Sequence, residues 1–450
     1  MLVRDIMSTQ LITISSDETV EQAETVFRAY NLHQIPALQK EDQTFLGVLT
    51  REALIQGKLQ YLHTSSSQLL EHPLKERKVS DLIQKSPVTV TPATLLEEAI
   101  SLLFEYKVSY LPVLEGSHLV GLVTWSDLLL AQLHLHNNNE QEKVTPQKKR
   151  VAIVGAGLTG LQAAESLASR GYSVLLLEKM PFAGGRMALD PLHQEQIHLY
   201  LQQLFKQLDA LRVECRYQAD LKGEEALSQL LTRFDAVLLT IGRQQSTAFG
   251  LSGETVLYDV YPALAFLEMC KQRPDTTCSG SVVVIGSTPT AFYAAQAALR
   301  QGASSVTVLY PEATCTLPSV LIEPALTAGL HLKERLLVKN LIGTEEATVQ
   351  GVHCVSVDFR KKSIPGSAIV IPADTVLIGA GEVPDLSCLP LLLESWIADE
   401  DNQQTAKMTF ETCIPRVFVA GSMLHAVSTP AQSIQQGIDV ARVIHTYLSS

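Results

Sequence analysis

A chain of 450 residues exceeds what one hydrophobic core usually organises, so two or three domains are expected, and 46% hydrophobic with 18% charged residues suits compact folding. A net charge of -12 repels phosphate backbones and argues against nucleic acid as the main partner, while small nucleotides held by backbone N–H groups stay open. The seven cysteines show no C-x-x-C spacing, which excludes a readable cluster, zinc site or redox disulfide.

The amino terminus, MLVRDIMSTQ, carries Arg4 and Asp5 and no apolar core, so it does not read as a signal peptide. No segment offers the uninterrupted apolar span a bilayer requires. A cytoplasmic protein without a membrane partner is the expectation. The pairs His134 with His136 and His193 with His198 lack acidic or cysteine company at ligand spacing, so no metal is expected.

From Asp5 the chain reads DIMSTQLITISSDETVEQAETVFRAYNLHQIPAL, and from Asp81 it reads DLIQKSPVTVTPATLLEEAISLLFEYKVSYLPVL, an offset of 81 − 5 = 76 that Pro36 and Pro112 keep. Each repeat has a short β-type run, an amphipathic helix, an apolar strand interrupted by proline, and a G-x-x-T strand end, GVLT at 47–50 and GLVT at 121–124. Repeats of this size imply two units packed as a pseudo-symmetric pair. The pattern resembles a tandem pair of cystathionine-β-synthase-type (CBS) domains over about residues 1–135. The resemblance implies dimerisation through the pair and an adenine nucleotide (AMP, ADP or ATP) in a cleft. A threonine of the G-h-h-T-x-x-D motif would lie near phosphate and the aspartate on the ribose hydroxyls. GLVTWSDL supplies both as Thr124 and Asp127, whereas in GVLTREAL the acid is replaced by Ala53. Asp127 equally suits a helix N-cap, and a purely structural or dimerising role is the other reading.

The stretch HLHNNNEQEKVTPQKKR, ending at Arg150, is polar and aperiodic and reads as a linker over 136–150. Lys148, Lys149 and Arg150 read as a solvated lead-in to the strand that follows. That strand opens VAIVGAGLTGLQAAESLASRGYSVLLLEK. Gly155 makes the tight turn, Gly157 lets a pyrophosphate approach, and Gly160 allows close helix packing, with Ala156 and Leu158 between them. The second strand ends at Glu178, placed to accept a ribose hydroxyl, and Lys179 follows. Strand, helix, second strand and terminal acid together mark a dinucleotide site.

Next come KMPFAGGRM, with Gly185 and Arg186, and the buried run FDAVLLTIG ending at Gly242. A second strand, turn and helix, SVVVIGSTPTAFYAAQ, begins at Ser281, and ADTVLIGAGEVPD and RVFVAGSMLHAVSTPAQSIQQG follow. This order resembles the two-dinucleotide-binding-domain flavoproteins typified by the glutamate synthase small subunit, over about residues 151–448. The expected fold is therefore α/β, a CBS pair followed by a Rossmann-like two-domain FAD/NAD(P) oxidoreductase. Its domains are expected at 1–135, 151–274 and 370–450 for FAD, and 275–369 for an inserted nicotinamide domain. The resemblance implies FAD along Gly155 to Glu178, Gly185, Gly421 and the helix near Ala431 and Gln432. It also implies hydride transfer from NADH or NADPH to the flavin, and a redox partner protein. No catalytic side chain is assigned, because the cofactors carry the reaction.

Three departures stand out. The chain has the CBS pair where relatives carry a cysteine-rich iron–sulfur region. Ser422 follows Gly421 where an aspartate is usual. In the second turn, Gly286, Ser287, Thr288, Pro289, Thr290 and Ala291 stand for G-G-G-D-T-A, so a branched side chain occupies the approach of the pyrophosphate. Glu312, past the next strand, would repel the 2′-phosphate of NADPH and suits NADH or no nicotinamide at all. A nucleotide sensor or scaffold with a non-catalytic flavoprotein half is the alternative function.

Overall fold

The protein, described here from a computed structural model, is defined at residues 1–29, 34–50, 78–85, 87–105, 110–124, 148–189, 194–221, 224–312, 329–387, 389–399, 409–424 and 430–449, with single positions 53, 127, 326, 403 and 406. The linker expected at 136–150 lies outside these residues up to 147, as do His134, His136 and His193. The chain divides into two compact units, Met1–Glu140 and Gln141–Ser450.

In the first unit, helix α1 (Val20–Ala29) starts at a reciprocal cap: Gln22 N–H donates to Thr19 Oγ1 at 3.3 Å and Thr19 N–H donates to Gln22 Oε1 at 2.8 Å. Its residues Val20, Ala23 and Phe27 recur at helical spacing and are buried. Helix α2 (Leu96–Glu105) repeats the stripe as Leu96, Ala99 and Leu103. Strands β1 (Ile14–Ser15), β2 (Gln34–Leu38), β3 (Phe45–Thr50) and β4 (Gln84–Lys85) form one sheet in that order, and β5 (Tyr110–Glu115) pairs with β6 (His118–Thr124).

The two repeats exchange their leading segments. Val3, from the start of the first repeat, is buried in the core of the second with Ala99, Leu111 and Val123. Val79, from the start of the second, is buried in the core of the first with Ala23, Ile35 and Leu49. The backbone bonds match: Val3 N–H donates to the Thr94 carbonyl at 2.9 Å and Val79 N–H to the Glu18 carbonyl at 2.8 Å, with 94 − 18 = 76. Strand β4 accordingly pairs with β3, across the repeat boundary.

In the second unit, β7 (Arg150–Val154), β8 (Ser173–Leu177), β9 (Glu214–Arg216), β10 (Ala236–Leu239) and β21 (Val417–Val419) form a parallel sheet in the order β21-β10-β7-β8-β9. Helices α3 (Leu158–Ala168) and α9 (Pro430–Ser449) pack against each other beside it. A second parallel sheet runs β12-β19-β13-β14-β15, from β12 (Val260–Pro262), β19 (Thr375–Ile378), β13 (Ser281–Ile285), β14 (Ser305–Leu309) and β15 (Leu330–Lys333). Helices α6 (Ala263–Gln272) and α7 (Pro289–Arg300) share a core with it. The antiparallel meander of β16 (Leu336–Gly343), β17 (Val349–Val357) and β18 (Ser363–Pro372) shares the core on its other face.

The second sheet reaches beyond the 275–369 span expected for the insert. Strand β19 pairs in register with β13, from Val282 opposite Thr375 to Ile285 opposite Ile378, and β12 pairs with β19. Those backbone groups require partners, so both strands and α6 belong with the insert. The chain crosses between the sheets where β11 (Gln245–Ser246) pairs antiparallel with β20 (Glu382–Val383).

The exchange of leading segments has a measurable signature. Val3→Ala is expected to cost about 2 kcal/mol in the second repeat's core, raising amide exchange in β5 and β6 by ~30-fold. Val79→Ala is expected to do so in β2 and β3 instead, as read by hydrogen-exchange mass spectrometry.

Candidate nucleotide-binding sites

Strand β7 delivers the chain to Gly155, whose φ of 105° lies in the left-handed region and whose Cβ, were there one, would strike the Thr240 carbonyl. Helix α3 then starts at Gly157, an N-cap with no side chain to bond the first N–H groups. A Cβ at Gly157 would meet nothing within 4 Å, whereas one at Gly160 would strike the Gly155 carbonyl and sit 2.6 Å from the Thr240 hydroxyl. The first turn of α3 therefore presents open donors, and the partial positive charge of about half an elementary unit, to an unfilled space. An anion fits there. Leu158 and Ala156 are buried beneath it.

Glu178, beyond the end of β8, is 4% exposed. Its Oε2 accepts from Ala156 N–H at 2.7 Å and its Oε1 from Met180 N–H at 2.8 Å. The carboxylate expected to meet a ribose thus also clasps the turn to its own loop, with lone pairs left over for a further donor. The following loop returns to the turn: Gly184 N–H donates to the Ala156 carbonyl at 2.8 Å, and Gly185 lies over Gly157. Lys179 points away to Asp385, with its Nζ 3.8 Å from Oδ2.

Arg186 is fixed by Glu382, whose side chain is 7% exposed, across 3.3 Å, and donates to the Arg243 carbonyl at 3.2 Å. Arg243 in turn donates to the carbonyls of Ser422 at 2.9 Å and Glu382 at 3.2 Å. The two guanidiniums, Glu178, Gly185, Leu264 and Glu268 line a small, partly open cleft. Burial raises the Glu268 carboxyl above the usual range; Lys179 opposes this and Glu178 adds to it. Sequence reasoning missed Arg243, Glu268 and Glu382, which carry no local motif.

Gly242 and Ser422 lie close together, since a Cβ at Gly242 would lie 3.2 Å from the Ser422 hydroxyl. Gly421 N–H donates to Gln436 Oε1 at 2.9 Å, tying the end of β21 to α9. Ala431 and Gln432 lie in the first turn of α9. The structure thus brings Gly155, Gly157, Gly185, Arg186, Gly242, Gly421 and Ser422 to the carboxyl ends of β7, β10 and β21.

The second turn repeats the backbone and changes the chemistry. Gly286 has φ 121° and closes against the Gly379 carbonyl, as Gly155 does against Thr240. Thr288 is the N-cap of α7: its Oγ1 accepts from Ala291 N–H at 3.2 Å and donates to the Gly379 carbonyl at 3.2 Å. Pro289 contributes no N–H. Two donors that a phosphate would use are thereby removed, and Thr290 and Ala291 are buried. The branched side chain expected to crowd the pyrophosphate is instead folded back as a cap. Past β14, Glu312 Oε1 meets Lys361 Nζ at 2.7 Å. Burial raises the Glu312 carboxyl, but Lys361, the backbone and Ser287 together bring it below the usual range.

In the first unit, Thr124 and Asp127 bond each other. Asp127 Oδ2 accepts from Thr124 N–H at 2.8 Å and from Thr124 Oγ1 at 2.6 Å. In the first repeat, Thr50 Oγ1 accepts from Ala53 N–H at 3.1 Å, and no carboxylate stands at that position. Among the described residues no group of histidines, cysteines and acids is placed to hold a metal ion, and no helix is long and apolar enough to cross a membrane.

Comparison with known proteins matches this arrangement. The CBS domain family matches residues 3–58 and 79–134, and the NAD(P)-binding Rossmann-like domain family matches 153–212. The NADPH-Fe(3+) oxidoreductase subunit beta of Geobacter sulfurreducens is 32% identical over 273 residues, 57% of this chain and 40% of the relative. The NADP(+)-dependent formate dehydrogenase subunit beta of Moorella thermoacetica is 28% identical over 69% of this chain and 45% of its own length. The glutamate synthase [NADPH] small chain of Escherichia coli is 26% identical, covering 67% of this chain and 69% of the relative. The chain spans less than half the length of the first two. Among solved structures, Mycobacterium tuberculosis FprA in complex with NADPH superposes with a TM-score of 0.53 at 16% identity, over 67% of this chain and 85% of that one. Lactococcus lactis thioredoxin reductase does so at 0.52 and 17%, over 67% of this chain and 99% of the other. The chain thus joins a CBS pair to a Rossmann-like oxidoreductase fold.

The two glycines of the first turn are expected to respond differently to one methyl group. Gly160→Ala should cost about 3 kcal/mol through overpacking, whereas Gly157→Ala should cost about 1 kcal/mol or less, from a poorer N-cap alone. Thermal melts of the two variants compare them directly.

Proposed function

We propose that the second unit is an FAD-dependent oxidoreductase that takes hydride from NADH and passes the electrons to a protein partner. The observation that carries this is the uncapped start of α3, with open space at Gly157, beside the buried carboxylate of Glu178. Those residues fit the diphosphate and ribose of a dinucleotide. Bound there, a flavin supplies the redox chemistry, accepting hydride and releasing electrons to an acceptor. The chain's own residues hold and orient: the α3 N–H groups face the diphosphate, Glu178 keeps an acceptor for a ribose hydroxyl, and Glu382 fixes Arg186 at the cleft wall. No side chain is asked to move a proton, and no catalytic residue is assigned.

NADH rather than NADPH is favoured by Glu312, although several relatives carry NADPH or NADP(+) in their names. The same proposal places the FAD domain within 151–274 and 370–450, less β12, α6 and β19, which join the insert sheet, and the reaction in the cytoplasm, where nicotinamide donors are abundant. The partner protein rests on relatives that are themselves named as subunits. Adenine nucleotide at Thr124 and Asp127 would adjust output, and the CBS pair would form the homodimer interface.

One observation favours a second reading, a sensor or scaffold that binds FAD and does not turn over: the start of α7 is capped by its own Thr288. Colour separates the two. A yellow protein that NADH bleaches without oxygen supports the reductase, and one that neither NADH nor NADPH bleaches overturns it. Gly157→Ala is expected to lose at least tenfold in FAD affinity while staying folded. Calorimetry with AMP, ADP and ATP should show binding that Asp127→Ala abolishes; equal binding by both proteins defeats the sensing role.

A further inference from the structure

Two guanidiniums stand together where the chain crosses between the sheets, and one carboxylate answers both. Arg243 lies between β10 and β11, and Glu382 lies in β20, the partner of β11. The Glu382 carboxylate meets Arg186 at 3.3 Å, whereas Arg243 bonds only the Glu382 backbone carbonyl. Burial and the adjacent Arg186 lower the Arg243 pKa, against the opposing charge of Glu382. Two cations held side by side in a partly buried wall cost free energy that a single acid does not return.

The other acids of the cleft leave that imbalance in place. Glu178 is engaged by the N–H groups of Ala156 and Met180, and Glu268 acts with Lys179 and Glu178. The charged groups that act on Arg243 are Arg186 and Glu382. From the end of β21 it is Ser422 that reaches Arg243, with a carbonyl and no charge. The cleft is therefore polarised, acidic at Glu178 and Glu268 and cationic at Arg186 and Arg243.

Arg243 is also held with donors to spare. Its Nε donates to the Ser422 carbonyl at 2.9 Å and its Nη1 to the Glu382 carbonyl at 3.2 Å, and its remaining N–H groups meet no acceptor among the described residues. Backbone carbonyls fix a guanidinium without neutralising it, so its charge stays available to an anion. An anion has a place nearby: Gly185 lines the same cleft, and a Cβ on it would lie 3.1 Å from the Gly157 Cα, where the open donors of α3 begin.

Resting on the FAD reading above, we infer that Arg243 is a cofactor-binding residue: with Arg186 it grips the diphosphate of the dinucleotide, adding charge to the neutral N–H groups of α3. The grip on this wall is cationic and reads phosphate, where the aspartate expected after Gly421 would have accepted from hydroxyls.

The test is titration of the full chain, stripped of flavin, with FAD at low and at high salt, read by flavin fluorescence. The wild-type dissociation constant is expected to rise with salt, as a charge contact requires. Arg243→Gln should weaken FAD by at least about tenfold at low salt and flatten the salt dependence. Arg243→Lys should keep the salt dependence and bind at least about threefold more weakly than wild type, because a point charge lacks the planar fork. Unchanged melting temperatures of the flavin-free proteins establish folding. A loss under tenfold in Arg243→Gln, or a larger loss with the wild-type salt dependence, makes Arg243 a structural tie and overturns the gripping role, with FAD at Gly157 standing. Where the glutamine variant melts early the lysine variant decides, and wild-type FAD affinity in it overturns the role. If the wild-type chain itself binds no FAD, the FAD reading and the gripping role fall together.

Discussion

A helix that follows a parallel strand begins with backbone N–H groups that its own turns cannot satisfy, and the second unit is organised around what is done with them. In α3 the N-cap is glycine, the donors are left open, and the space before them is clear. In α7 a threonine and a proline dispose of two of them. The strands and closing contacts of the two turns are otherwise alike, down to a glycine with positive φ pressed on the carbonyl of a neighbouring strand end. One fold, used twice, therefore differs in how much binding energy each copy leaves available to an anion.

The acids at the ends of β8 and β14 show the same divergence. Glu178 spends its first bonds on backbone N–H groups, which fixes turn and loop together and makes the site rigid before any ligand arrives. Glu312 spends its first bond on the exposed ammonium of Lys361, from a distant hairpin. The former arrangement suits a cofactor held through many turnovers. The latter is an exposed ion pair, which exchanges partners at little cost.

Much of this was legible in the residues. Gly155 and Glu178 sit at spacings that only a strand, turn, helix and second strand accommodate, and the paired prolines 36 and 112 betray the duplication. The extent of the insert was not legible, because Val260 and Thr375 lie in ordinary apolar runs and are assigned to a sheet only by pairing with partners far away. Arg186 was visible in its glycine-rich motif, yet its partner Glu382 is 196 residues away (382 − 186) and sits in a short crossing strand. Lys361 reads as one of several exposed lysines until the hairpin carries it to Glu312. Thr288 was visible as an oddity, and its dual bonding to Ala291 and Gly379 turned crowding into capping.

The reciprocal placement of Val3 and Val79 bears on how the first unit came to exist and how it folds. Neither repeat closes its core from its own residues, so a single copy cut from this chain would expose an apolar slot and carry an orphaned leader. Two such copies on separate chains would complete each other by swapping, and fusing them in tandem makes that swap intramolecular at high effective concentration. The cost is kinetic: the first core is sealed only by a contact spanning 79 − 18 = 61 residues, Val79 with Glu18, and the second by one spanning 94 − 3 = 91, Val3 with Thr94, which slows folding and makes the pair cooperative.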